Sequence, residues 1–487
     1  MKKRISTNQL LSIGVFVIFL LLQVIEANFD LSTSNYLYNI RFMSFVGVLL
    51  VFYIVISWKK AYYRFLSPYI IFMLLLYMCL CGQTPFWMLN IKAGFRDLTT
   101  WMKLFTSIDL CKGLLFSYLC ISFMHSVVLL SIDPSTKRTR LKEKRRNDFY
   151  NIIESKEAYK KITIFGLICC IVFIIPYLIT FVNLRNIIKT VGYDMQYDTL
   201  VTGTASFFAK IADFYPLGII TLIFVWGKKN EFNRKNYFVK KTMLLLFSIL
   251  YIVCELLLGQ RTGVILFIFA LLFVVYKNKN IPFKNMAILA ICGVLLMAGM
   301  RLVGIARSNN ASIYDKDSNP VVDFVSDTGW NLMSLVEFQK ILPSVHNYGY
   351  GASYLVSLTE VVPNINLWAV HPAYKYGNIS QYLRDYLGYS FGLGCTPVAE
   401  AYYNFSYFGF LVFYLWGLVL ISLNRKFEDK DDLISNYMVV LFIGILLKSC
   451  VRSSFYAVFR PYLLFVLLPV IILKLMSNKK LIKKEVE

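Results

Sequence analysis

Charge is what this chain has little of. Only 16% of its residues are Asp, Glu, Lys or Arg, where a soluble domain carries roughly 25%. Acid is scarcer than base: 28 Asp and Glu stand against 51 Lys and Arg, a formal net charge of +23. Histidine occurs three times. There is no P-loop, no Rossmann glycine pattern and no HExxH motif, which excludes a soluble nucleotide-sugar domain and a zincin site. None of the ten cysteines forms a CxxC pair, and Cys79, Cys81, Cys169, Cys170, Cys254 and Cys292 fall inside apolar runs, where cysteine acts as a small buried apolar residue. Asp315-Lys-Asp317-Ser-Asn319 begins like a calcium loop, but Pro320 stands where Gly is needed and Ser326 where Glu is needed. No metal and no cofactor is expected. No internal repeat relates the two halves, which counts against a secondary carrier.

Apolar runs are what the chain has in abundance. It is 57% hydrophobic, and runs of about 20 residues recur, long enough to cross a hydrocarbon core of ~30 Å. The pattern predicts an all-α, polytopic integral membrane protein of about twelve spans, near 9–26, 38–58, 66–82, 111–131, 162–182, 206–226, 240–258, 262–277, 285–304, 397–423, 434–450 and 459–476. The start, Met-Lys-Lys-Arg before an apolar run, reads as an uncleaved first helix, because no small-x-small cleavage site follows. With the N-terminus inside, the segments 1–4, 58–66, 132–161, 227–241, 277–285, 424–432 and 474–487 are cytoplasmic and hold 33 of the 51 basic residues. This is the positive-inside pattern, and it places both termini in the cytoplasm. The charge is thereby accounted for by anionic lipid headgroups, and no nucleic-acid partner is expected. The basic loop 132–161 reads as a solvated, headgroup-facing stretch.

One long polar segment interrupts the membrane pattern. Residues 306–396 carry five Lys or Arg against seven Asp or Glu, as an outside loop should. Within a single membrane domain spanning 1–487, this segment reads as a folded lid rather than a linker. An amphipathic helix is predicted over 330–342, stopping before Pro343, with a turn at Tyr-Gly-Tyr-Gly (348–351) and short helices at 353–360 and 379–387. Its aromatics Tyr314, Trp330, Tyr348, Tyr350, Trp368, Tyr374 and Tyr376 could stack on sugar rings, though most are expected to pack the loop onto itself.

Charges at membrane depth need a reason. Lys210 and Asp213, three apart, can neutralise each other. Glu255 stands close enough to Arg261 to orient it. Arg261, Arg301, Arg307, Lys448, Arg452 and Arg460 fall at outer helix ends, against the positive-inside trend. Each can snorkel to headgroups. Five arginines from separate spans suit a shared anionic ligand better, because the guanidinium fork binds phosphate oxygens bidentately. Glu400, at the outer start of a span, could act as a base toward a sugar hydroxyl or pair with one of those arginines. His371 is a second candidate base. His125 and His346 receive no role.

Several segments together carry a family likeness. They are Leu-Leu-Gly-Gln-Arg-Thr-Gly-Val (257–264), Arg-Leu-Val-Gly-Ile-Ala-Arg-Ser-Asn (301–309), Gly-Tyr-Gly-Ala-Ser-Tyr-Leu (349–355), Val-Val-Pro-Asn-Ile-Asn (361–366), Gly-Leu-Gly-Cys-Thr-Pro-Val-Ala-Glu-Ala-Tyr-Tyr-Asn-Phe-Ser-Tyr-Phe-Gly (392–409) and Arg-Ser-Ser-Phe (452–455). Their order over roughly 160–475 resembles the O-antigen polysaccharide polymerases of Wzy type. The resemblance implies a GT-C-like glycosyltransferase of the bacterial inner membrane that joins undecaprenyl-pyrophosphate-linked glycans, with a chain-length regulator and a flippase as associated proteins. By that analogy Arg261, Arg301, Arg307 and Arg452 hold the pyrophosphates, and Glu400 or His371 helps deprotonate the acceptor. The rival expectations are an O-antigen ligase, a flippase of the lipid-linked repeat unit, and a structural partner of an assembly complex.

Overall fold

The structure is a computed structural model that describes residues 5–28, 35–62, 66–91, 97–132, 148–191, 203–227, 236–259, 261–276, 319–362, 368, 370–389, 393–428 and 433–475. Among the described residues every regular element is helical and no strand occurs. Nine helices among them are long and apolar enough to cross a membrane: Thr7–Asn28, Ile40–Ala61, Ser107–Ser131, Lys156–Thr190, Phe208–Trp226, Tyr237–Leu257, Pro397–Phe427, Leu433–Arg452 and Tyr456–Leu475. Two further predicted spans appear as shorter apolar helices, Pro68–Cys81 and Arg261–Tyr276. At 14 and 16 residues they fall short of the roughly 20 that an untilted crossing needs. The predicted span 285–304 lies outside the described residues.

The chain divides into two compact units, each assembled from separated stretches of sequence. The first comprises 1–144, 310–424 and 449–459. Its axis is Ser107–Ser131, a helix apolar on all sides, with 89% of its most apolar window buried. The Thr106 hydroxyl accepts from the Asp109 N–H while the Asp109 carboxylate accepts from the Thr106 N–H, a capping box that fixes where this helix starts. Thr7–Asn28, Ile40–Ala61 and the lid helix Leu332–Ile341 all pack on it. Small residues permit the approach: a Cβ added at Gly113 would meet Val336 at 2.8 Å. His125, buried in the same helix, binds the hydroxyls of Ser57 and Tyr69, so its ring is satisfied in the core.

The lid forms three of its helices where the sequence predicts them: Leu332–Ile341, Ala352–Ser357 and Ile379–Leu387. The first is less amphipathic than expected, since Leu332 through Phe338 are all buried, Ser334 and Glu337 included. Contact with Ser107–Ser131 and with Pro397–Phe405 covers the face that had read as solvent-facing. A fourth helix, Pro320–Gly329, went unanticipated. Pro320 occupies its first turn and the Asn319 side chain caps it by accepting from the Val321 N–H at 2.9 Å.

The second unit comprises 145–309, 425–448 and 460–487. Its longest element, Asp148–Val191, has 44 residues, roughly 66 Å of helix at ~1.5 Å per residue. Phe214–Trp226 lies along it. Gly218 faces Cys169 and Cys170, where a Cβ would come within 2.8 Å, and the Tyr437 hydroxyl bonds Thr221 at 2.8 Å. The nine described cysteines are buried thiols, as expected of small apolar residues.

Candidate functional site

A buried polar cluster in the first unit gathers on the helix Pro397–Phe405. Thr396 caps it, accepting from the Ala399 N–H, and Pro397 fills its first turn. Glu400 is therefore held one turn in, where it is 1% exposed. Both its oxygens are occupied. Oε1 accepts from the Ser353 hydroxyl at 2.8 Å, and Oε2 accepts from the Phe455 N–H at 2.6 Å. Asn404, one turn further along, donates to the Ser353 hydroxyl at 2.7 Å and to the Glu400 carbonyl at 2.9 Å.

The Tyr-Gly-Tyr-Gly turn docks on the same helix. Gly349 N–H donates to the Tyr403 carbonyl, Tyr350 N–H to the Asn404 carbonyl, and Gly351 N–H to the Asn404 side chain. Gly351 needs its glycine, with φ at +87°. The turn delivers Ser353 to Glu400 across 47 residues of sequence.

Arg452 stands at the other side of the Phe455 contact. It is three residues before the amide that Glu400 holds, so the carboxylate fixes the turn that carries the arginine. Its Nε donates to the Asn331 side-chain oxygen at 3.2 Å, and Asn331 in turn donates to the Thr328 carbonyl at 2.6 Å. Gly394 closes the arrangement. A Cβ there would stand 2.2 Å from the Asn331 oxygen and 3.9 Å from the Arg452 Nε, and φ is +49°. Asn331 is buried, whereas Arg452 is exposed. The result is an exposed guanidinium held at its Nε by a buried asparagine, an arrangement suited to binding an anion.

The other predicted residues are placed as follows. His371 lies in the lid, with Nδ1 accepting from the Ala373 N–H at 3.1 Å and Nε2 facing the Val362 carbonyl at 2.9 Å. Both ring nitrogens thus close the local turn, which assigns the Nε2–H tautomer. Lys448 and Arg460 belong to the second unit, where Asp213 lies within electrostatic range of Arg460 and Lys448, and Glu255 within range of Lys448 and Asp213. Asp213 sits in the break between two helices, Gly203–Ala212 and Phe214–Trp226, and the charges that act on it are those of the distant Arg460 and Lys448. Glu255 accepts from the Tyr177 hydroxyl at 3.1 Å. Arg261 opens the helix Arg261–Tyr276, and its side chain lies outside what is described. Arg301, Arg307 and Tyr314 lie outside the described residues, as do positions 315–318 of the calcium-loop look-alike. Among the described residues no group of three or more His, Cys, Asp or Glu is placed to hold a metal.

Ser353, Asn404 and Asn331 are the site residues that sequence reasoning missed. Ser353 and Asn404 lay in the quoted segments Gly-Tyr-Gly-Ala-Ser and Ala-Tyr-Tyr-Asn and Asn331 in the predicted helix 330–342, but small polar side chains are common and nothing local marks which of them meet. Trp330, one of the lid aromatics that could stack on a sugar but of which most are expected to pack, is buried against Trp101 at 4.5 Å between ring centroids.

Comparison with known proteins adds the identity. A family model described as O-antigen polysaccharide polymerase Wzy matches residues 5–481. No curated protein and no solved structure matches the chain. An unbroken match over nearly all of a many-helix membrane chain agrees with the resemblance carried by the six quoted segments. The chain belongs to the O-antigen polysaccharide polymerase Wzy family, and its activity is the polymerisation of O-antigen repeat units.

Proposed function

We propose that the chain joins undecaprenyl-pyrophosphate-linked glycans at the outer face of the bacterial cytoplasmic membrane, within a GT-C-like bundle of twelve spans whose termini are cytoplasmic. An acceptor-sugar hydroxyl attacks the anomeric carbon of the growing chain. The bond from that carbon to the pyrophosphate oxygen breaks, and negative charge develops on the leaving phosphate. Arg452 offers its fork to that charge from a position already fixed, so little reorganisation is needed as the charge appears. The observation that carries this reading is the double anchoring of Arg452, by Asn331 at its Nε and by Glu400 through the Phe455 amide.

Glu400 and His371 are the two candidate proton acceptors. The contacts around both favour holding roles, His371 closing a lid turn and Glu400 positioning Arg452, so the acceptor's proton passes to the departing phosphate oxygen on which the negative charge develops. Arg261, Arg301, Arg307, Arg460 and Lys448 are proposed as further phosphate contacts on their sequence positions. A flippase that supplies repeat units and a chain-length regulator are the partners this reaction implies.

Complementation tests the proposal. Arg452→Ala, expressed at wild-type level in a strain lacking its own polymerase, is expected to leave single repeat units and to cut polymer about 100-fold, the usual cost of one transition-state donor. Arg452→Lys keeps the charge but not the fork and is expected to fall between. A full ladder from Arg452→Ala refutes the phosphate role. Loss of all surface glycan, single units included, indicates transport or ligation instead.

A further inference from the structure

The lid contains an open groove of about 390 Å³ that the site above does not use. Val370, Tyr374, Lys375, Gln381, Tyr382 and Asp385 line it, together with Tyr386. Its floor is one helix, Ile379–Leu387, and the order of side chains there is informative. Tyr382 and Tyr386 are four apart, as are Gln381 and Asp385, so an aromatic row and a polar row run side by side along one surface. The aromatic row is braced from beneath. His346 packs edge-on against Tyr386 at 4.5 Å and against Tyr382 at 5.7 Å between ring centroids.

The polar row is set just as firmly. The Gln381 amide donates to Asp385 Oδ1 at 2.8 Å, and Arg384 donates to the same oxygen at 3.2 Å. The bonds that the described residues form with Asp385 thus converge on Oδ1, while the residue itself is exposed. Asp385 therefore brings an exposed carboxylate to the groove lining as an acceptor. Lys375 also lines the groove and adds a donor, its ammonium 4.9 Å from the Tyr376 ring centroid.

We propose that this groove is a saccharide subsite of the polymerase, separate from the phosphate-binding end. The occupant is a pyranose ring of the glycan. Such a ring has one C–H face that packs on tyrosine and a rim of hydroxyls that donate in pairs to a carboxylate or amide. A tyrosine row beside a Gln–Asp row meets both demands at once. The volume falls within the usual range for small-molecule sites of about 300–1,000 Å³. Two ring contacts join the groove to the candidate site. Tyr382 meets Tyr403, the neighbour of Asn404, at 6.3 Å, and Tyr374 meets Tyr456, the neighbour of Phe455, at 6.4 Å. A glycan seated here has its reacting end supplied to the Arg452 turn, so the groove grips the chain one or more sugars away from the bond being made. This inference rests on the proposed role of the Arg452 turn for its purpose, but its test does not.

The test is a binding measurement without turnover. The probe is the free repeat-unit oligosaccharide released by mild acid from the host strain's own surface polysaccharide, added to the purified full-length protein in nanodiscs. Saturation-transfer NMR reads contact and titration calorimetry reads affinity. Wild type is expected to bind. Asp385→Asn, an exposed and nearly isosteric change, is expected to weaken binding about 10-fold, the factor a lost charge-assisted hydrogen bond brings. Tyr386→Ala is expected to weaken it by a similar factor and to abolish saturation transfer from tyrosine protons. In complemented cells both variants are expected to shift the polysaccharide ladder to shorter chains. Arg452→Ala is expected to bind the free oligosaccharide as wild type does, which separates failure of this groove from failure of the phosphate reading. The inference is overturned if wild type does not bind the probe, if Asp385→Asn and Tyr386→Ala both bind it unchanged, or if spin-labelled acyl chains rather than the oligosaccharide quench the groove tyrosines.

Discussion

Glu400 spends its charge on a backbone amide and a serine hydroxyl, and this changes what its removal should do. A base must release its hydrogen bonds to take a proton, whereas a positioning group must keep them. Glu400→Gln retains an oxygen for the Phe455 N–H, and its new amide can donate to Ser353, whose hydroxyl can rotate to suit. Glu400→Ala leaves a buried hydroxyl and a backbone N–H without acceptors, each worth about 1–3 kcal/mol. Polymer yield is therefore expected to stay within about 10-fold of wild type for Glu400→Gln and to drop about 100-fold for Glu400→Ala, with a lower unfolding temperature in detergent for Ala alone. Equal loss in both variants means that Glu400 is the base. The sequence made Glu400 and Arg452 legible because charge at membrane depth is rare and each instance asks for a reason. It left Ser353, Asn404 and Asn331 hidden because their meeting is a long-range event. Ser353 reaches Glu400 across 47 positions and Asn331 reaches Arg452 across 121.

At the scale of elements, periodicity predicted three lid helices where they occur and misjudged the environment of one. The stretch 330–342 has polar residues at helical spacing, so it read as half-solvated. Glu337 is instead 5% exposed, because two apolar helices cover both of its flanks. Burial pushes its carboxyl above the usual carboxylate range, and Asp109 adds to that. Lys340 and a bond from the Tyr389 hydroxyl at 3.3 Å pull the other way. The sign follows from linkage. A carboxyl whose folded value is raised favours the folded state fully below the unfolded value of about 4.3, and that contribution is lost as pH rises through the folded value. The protein is therefore expected to unfold at a higher temperature at pH 5 than at pH 8 in this respect, and Glu337→Gln is expected to flatten the trend by raising the pH 8 value. An unchanged slope in the variant assigns the pH dependence to other groups. The missed helix Pro320–Gly329 has a different cause. Pro320 was weighed only as a misfit in a calcium loop, although Asn-Pro before an apolar stretch is also a helix start.

Across the whole molecule, helices stand at eleven of the twelve predicted spans and the twelfth lies outside the described residues. Nine of the helices among the described residues are long and apolar enough to cross a membrane, and hydropathy locates such helices because a helix in lipid must satisfy its backbone within itself, so length and apolarity nearly suffice. What hydropathy does not carry is partnership. Residues 310–424 and 449–459 fold with the first 144, while 425–448 and 460–487 fold with 145–309, and no periodicity marks that exchange. Orientation is a further matter, proposed here from where the basic residues fall. The seven short segments proposed as cytoplasmic hold 33 of the 51 basic residues, and the opposite arrangement would carry those charges across the membrane against the usual bias. A membrane-impermeant maleimide can read the result in spheroplasts, because the nine described cysteines are buried and give little background. Val345→Cys, at an exposed lid position, is expected to label from outside. Thr139→Cys, within the basic run 137–146, is expected to label only after the membrane is permeabilised. The reverse pattern would invert the topology and move the Arg452 turn to the cytoplasmic face, where the same guanidinium would have to meet a lipid-linked phosphate before export rather than after it.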